Sequence, residues 1–142
     1  MKIIRIFGHP VSVMCVYLLL LISGKSIGGF YVLYILMRLR YGVPDAIVSS
    51  LGLVVMLAAS MVSQKKLPPL KPTLCILADI VLIVGLLLFF QASEGYNDAT
   101  FRQTVPLLSF TLFAACMFSN VLLSVMLFGQ GGKSDVKPVQ TS

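Results

Sequence analysis

LLLLISGKSIGGFYVL, residues Leu18–Leu33, sets one lysine and three glycines into an otherwise oily segment, and the fold turns on how that interruption is read. Lys25 could belong to a phosphate loop, to the end of a cleaved signal, or to a membrane helix carrying a charge. A phosphate loop needs G-x-x-x-x-G-K-[ST], whose first glycine lets the backbone wrap a phosphate. Upstream of Gly24-Lys25-Ser26 that glycine falls on Leu19, and upstream of Gly132-Lys133-Ser134 it falls on Leu127. Neither sequence is such a loop. A cleaved signal would use Lys2 and Arg5 ahead of Val11–Ile22, but it wants small residues at two alternate positions, and Leu21 occupies one. The reading taken is an intramembrane lysine.

Composition supports it. The chain has 142 residues, 58% hydrophobic and 11% charged, with a mean hydropathy of +0.97. Soluble domains run at about 45–50% apolar and about 25% charged, so too little charge exists here to clothe a water-exposed surface. The bilayer is therefore the expected environment. The net charge of +6 lies in short clusters between apolar blocks, the distribution of cytoplasmic loops rather than of a nucleic-acid surface. No nucleic-acid partner is expected. Cys15, Cys75 and Cys116 stand singly inside apolar runs, and His9 is the one histidine. Neither a metal set nor a cofactor motif can be assembled from them.

Four apolar blocks follow, at about 10–37, 44–63, 73–92 and 105–128. The apolar run of the second, Ala46–Val62, and the whole of the fourth carry no charge, and each has the roughly 17 residues needed to span about 30 Å of hydrocarbon. The third contains Asp79, whose insertion cost its Leu, Ile, Val and Phe residues offset. Pro44 and Asp45 suit the opening turn of the second helix. The prolines of QKKLPPLKP, Gln64–Pro72, separate the second and third. Residues 130–142 read as a disordered cytoplasmic tail behind a single transmembrane domain, 1–129.

The first block is too long for one upright crossing: at about 1.5 Å per residue it would reach about 42 Å. A full break at Gly24–Gly29 would leave Ile27–Met37 before Arg38, too short to cross. One long helix with both ends cytoplasmic puts Lys2, Arg5, Lys65, Lys66, Lys71, Lys133 and Lys137 inside and Arg38, Arg40 and Arg102 outside, in keeping with the positive-inside rule. The expectation is an all-α, integral-membrane four-helix bundle, both termini cytoplasmic, its first helix long with a kink site at Gly24–Gly29. The expected location is a cell membrane of bacterial inner-membrane type.

Lys25, Asp79 and Asn120 are the intramembrane polar candidates. Helix rise puts Lys25 and Asp79 about 12 Å apart in depth, so tilt, the kink or a water must close the gap if they meet. Gly24 and Gly28 form a G-x-x-x-G helix-packing pair, and Ala46/Ser50, Ala59/Ser63 and Ala115/Ser119 repeat small-residue spacing. Tyr31, Tyr34 and Tyr41 suit an outer aromatic belt.

In chain length and helix count the pattern resembles the small multidrug resistance transporters, whose first helix depends on an embedded glutamate. Lys25 stands in the first helix here, so the resemblance implies architecture and no shared site. No catalytic constellation is legible, and an enzyme is not expected. The functional expectation is an accessory or interaction subunit of a membrane assembly, held to a membrane-protein partner or to further copies of itself. The alternative is a small oligomeric transporter or channel using Lys25 and Asp79.

Overall fold

Apolar residues fill every long helix of the structure, a computed structural model that describes residues 2–23, 28–63, 69–92 and 100–131. The elements run α1 (Lys2–Phe7), α2 (Pro10–Leu18), β1 (Leu21–Ser23), β2 (Gly28–Phe30), α3 (Tyr31–Leu39), α4 (Pro44–Met61), α5 (Leu70–Ala92) and α6 (Thr104–Gly131). Three of them are long and apolar enough to cross a membrane: α4, α5, and α6 through Phe128. They fall on the second, third and fourth apolar blocks.

The first block departs from expectation. It is no single helix: α2 and α3 have nine residues each, and between them the chain doubles back through antiparallel β1 and β2, pairing Leu21 with Phe30, Ile22 with Gly29 and Ser23 with Gly28. Gly28, expected to pack helices, instead sits in β2, while Gly24 and Lys25 lie outside the described residues. The correction has a physical cause. Non-helical backbone is tolerated at membrane depth only where protein satisfies its polar groups, and the far end of the fold supplies them here. The Leu21 amide donates to Ser109 Oγ at 3.1 Å. Thr100 Oγ1 accepts from the Ser23 amide at 3.0 Å and donates to the Ser23 carbonyl at 3.0 Å. Partners so distant in sequence are invisible to a hydropathy scan.

The interrupted first segment touches both ends of the helix bundle, but only α4, α5 and α6 qualify as spans, three where four were expected. Its first turn shares a cavity with Lys71 at the start of α5, and its last turn reaches the start of α4 through Arg38 and Asp45, 2.8 Å apart. Those starts lie at opposite ends, because α4 and α5 are antiparallel: Ser49 meets Gly85 and Gly52 meets Leu82. The α3–α4 corner closes as a Schellman turn. The Val43 amide reaches the Arg38 carbonyl and the Gly42 amide reaches the Leu39 carbonyl, with Gly42 at φ 65°, a conformation natural to glycine. Pro44 then opens α4.

Helix contact is closest between α4 and α5. A Cβ added to Gly85 would lie 3.0 Å from the Ser49 amide nitrogen, and one on Gly52 would lie 3.2 Å from the Leu82 nitrogen. Backbones that near gain dispersion contact, the attraction left when lipid offers no hydrophobic drive. Of the small residues expected at interfaces, Ala46 and Ala59 are buried, whereas Ser63 and Ala115 are exposed.

Gly85→Val must push α4 off α5. It should lower stability in detergent by about 1–3 kcal/mol, read as a drop in the thermal midpoint, while Leu87→Val at an outward position of the same helix should leave the midpoint nearly unchanged.

Candidate functional site

Two of the three polar candidates meet. Asp79 on α5 and Asn120 on α6 are 3% and 2% exposed, and Asn120 Nδ2 donates to both carboxyl oxygens, Oδ1 at 3.3 Å and Oδ2 at 3.2 Å. The same nitrogen stands 4.0 Å from Met56 Sδ on α4. A buried carboxyl without a donor is costly, and one amide group serves both oxygens here. Antiparallel packing of α5 on α6 produces the meeting. Lys25, the third candidate, lies outside the described residues, as does Glu94.

A second polar knot joins the halves of the interrupted pass. The Tyr17 hydroxyl, on α2, donates to Ser49 Oγ at 2.9 Å and stands 3.2 Å from the Leu82 carbonyl. The Tyr31 hydroxyl, on α3, shares a hydrogen bond with Ser49 Oγ at 3.2 Å. Tyr31 is fully buried rather than part of an outer belt. Its ring meets Tyr17 at 5.3 Å and Phe89 at 5.1 Å, both edge to face, the arrangement that aromatic quadrupoles favour. Tyr41 remains exposed.

At the α4 start, Asp45 is 3% exposed and accepts from Arg38, whose guanidinium also lies 5.2 Å from the centre of the Phe89 ring. A residue expected to face the outer loop is thus held by an ion pair and a cation–π contact.

At the opposite end, a cavity of about 560 Å³ opens between α1, α2, α5 and α6. Arg5, His9 and Lys71 contribute the positive and ring-nitrogen groups, and Cys75, Asn120 and Ser124 form its buried polar side. Gly8 lets the α1–α2 turn seat against α6, since a Cβ there would lie 2.7 Å from the Ser119 carbonyl oxygen. His9 caps α2 by accepting from the Val11 amide at its Nδ1, 3.3 Å away. Asn120 connects the two features: it lines the cavity and holds Asp79 behind it.

In the sequence, Arg5 and Lys71 read as charges of the inner side and His9 as a lone histidine near the start. The usable signal was Gly8-His9-Pro10, a small residue, a side-chain cap and an N1 proline. For Thr100 and Ser109 no local signal existed, since their partners are more than seventy positions away. Among the described residues, no three His, Cys, Asp or Glu side chains gather as a metal site would require.

The Asp79–Asn120 pair makes a testable cycle. Asn120→Leu alone should cost about 1–3 kcal/mol, by leaving the carboxyl buried without its donor. Asp79→Leu combined with Asn120→Leu should recover part of that loss in thermal unfolding, because replacing both partners removes the unmet polar group. Strictly additive single-site effects would show that the contact carries no coupling.

No family model, no curated protein and no solved structure matches this chain.

Proposed function

We propose that the chain is an accessory or interaction subunit of a membrane assembly, binding a membrane-protein partner or further copies of itself rather than transforming a substrate. The supporting observation is that polar groups carried into the bundle are consumed by one another. Asp79 is held by Asn120, Ser49 takes both tyrosine hydroxyls, and Asp45 is paired with Arg38. Such pairing fixes helices in register and, among the described residues, leaves no activated nucleophile or acid–base couple. Meanwhile only 33%, 39% and 28% of the three spanning windows are buried within the chain, and each helix keeps an exposed stripe, as at Leu51, Val54, Ile80, Leu87, Leu108 and Phe118. Those faces are apolar and offer lateral contact to lipid and to partner helices.

Isolation from its native membrane in a mild detergent should yield the full chain in a stoichiometric complex, with another membrane protein or with itself, by mass photometry and cross-linking. A monomer recovered alone under every mild condition would remove this reading.

One observation favours a second reading, a small oligomeric transporter or channel using Asp79 with Lys25. Asn120 both lines the cavity and contacts Asp79, so one side chain links the cavity to an embedded carboxyl. On that reading, liposomes carrying the protein should show anion or proton flux that Asp79→Asn abolishes. Equal flux in the variant would dismiss it.

A further inference from the structure

The cavity beside α1 concentrates cationic chemistry in a way that the accessory role does not require. Arg5, His9 and Lys71 come from three different segments, the first helix, the turn before α2 and the start of α5, yet line one space. Among the described residues, no Asp or Glu lines it. The nearest acid identified in the bundle, Asp79, stands behind Asn120 and is already held by it. Helix termini of both signs adjoin the space, since α2 and α5 begin there while α1 and α6 end nearby. Their dipoles therefore offset, and the side chains set the sign.

The donors suit one class of anion. A guanidinium presents a planar fork, an ammonium a compact point charge, and a phosphate offers several oxygens that can accept from both at once. His9 adds a further donor: with Nδ1 occupied by the Val11 amide, its neutral ring carries the proton on Nε2. Ser124 and Asn120 provide neutral polar atoms at the buried side. The volume of about 560 Å³ falls within the roughly 300–1,000 Å³ of small-ligand sites and has room for more than a bare ion. Ile4, Met126 and Leu127 complete the wall, an apolar side suited to what a phosphate is esterified to in a membrane.

We propose that this cavity binds a phosphate group through Arg5, Lys71 and His9, supplied either by an anionic lipid headgroup or by a free phosphate. The site goes beyond the accessory reading and does not depend on whether a partner exists. It places a recognition function at the bundle end shared by both described chain termini, where headgroups and aqueous anions are both within reach.

The experiment uses the full chain in neutral-lipid nanodiscs and three probes: inorganic phosphate, short-chain phosphatidate, and diacylglycerol of the same acyl length. Binding is read by native mass spectrometry and by thermal shift. Phosphatidate should be retained and diacylglycerol should not, and the joint variant Arg5→Gln with Lys71→Gln should weaken retention by about tenfold or more. Arg40→Gln, at an exposed site on the opposite end, should bind as the wild type does. Phosphatidate bound without inorganic phosphate identifies the lipid headgroup as the source. Inorganic phosphate bound with similar strength identifies the free anion. Lys71→Gln alone gives a second reading should the joint variant unfold. Absence of binding by either phosphate probe, or binding unchanged in both cavity variants, overturns the proposal.

Discussion

Backbone amides carried into hydrocarbon must find partners within the protein, because an unpaired N–H or C=O there costs several kcal/mol. A continuous helix meets this demand locally, and α4, α5 and α6 do so. The first pass does not. Its chain leaves the helix at Leu18 and re-enters it at Tyr31, so the intervening backbone depends on help from elsewhere. Two strands satisfy part of it, and the Tyr31 amide reaches back to the Leu20 carbonyl at 2.7 Å. Thr100 and Ser109 satisfy much of the remainder, and Ser23 Oγ adds a bond to Gln103 Oε1 at 2.8 Å. The hairpin is therefore conditional on the start of α6 and the residues just before it, Thr100 and Gln103, being where they are.

That dependence explains the order in which the remaining contacts make sense. The α4–α5 pair is a scaffold in its own right, since Gly52 and Gly85 bring two backbones together without any contribution from the first pass. Close approach also presents Ser49 at the crossing, where its hydroxyl is accessible to Tyr17 from one side of the interruption and to Tyr31 from the other. The broken pass is thus fastened twice, at its middle by Ser49 and at its hairpin by Thr100. Phe89 and Phe113 fill the space around the two tyrosines, adding packing to polar bonds that fix orientation.

The three uninterrupted spans were legible because hydropathy over some twenty residues integrates a strong signal, and because Pro44 and the proline-rich Gln64–Pro72 segment mark their borders. Polar residues at Asp79 and Asn120 were legible for the same reason: against such a background each stands out. Their meeting was not, since it depends on the relative rotation of α5 and α6, which no single helix encodes. The first pass misled for a definite reason. Hydropathy reports solvent preference and is silent on backbone geometry, so Leu18–Ile22 scores alike as helix or as the edge of a hairpin. Gly28 and Gly29 marked the weak place in the sequence, but the bonds that turn a weak place into two strands came from residues 100, 103 and 109.

Charge is the remaining asymmetry. At the α4 start, Arg38 is paired with Asp45 and lies over the Phe89 ring, so that this cation is balanced within the chain. Among the described residues, the cavity end gathers Arg5, Lys71 and His9 with no lining carboxylate. Two unit charges about 4 Å apart interact by about 1 kcal/mol in water and about 4 kcal/mol at the effective dielectric of a protein surface, so partial enclosure strengthens the pull of Arg5 and Lys71 on an anion. A fold free to place its charges would spread them into the headgroup layer. Here Gly8 and the His9 cap hold the α1–α2 turn against α6, which keeps Arg5 beside Lys71 at a shared opening, where the proposed phosphate would balance them.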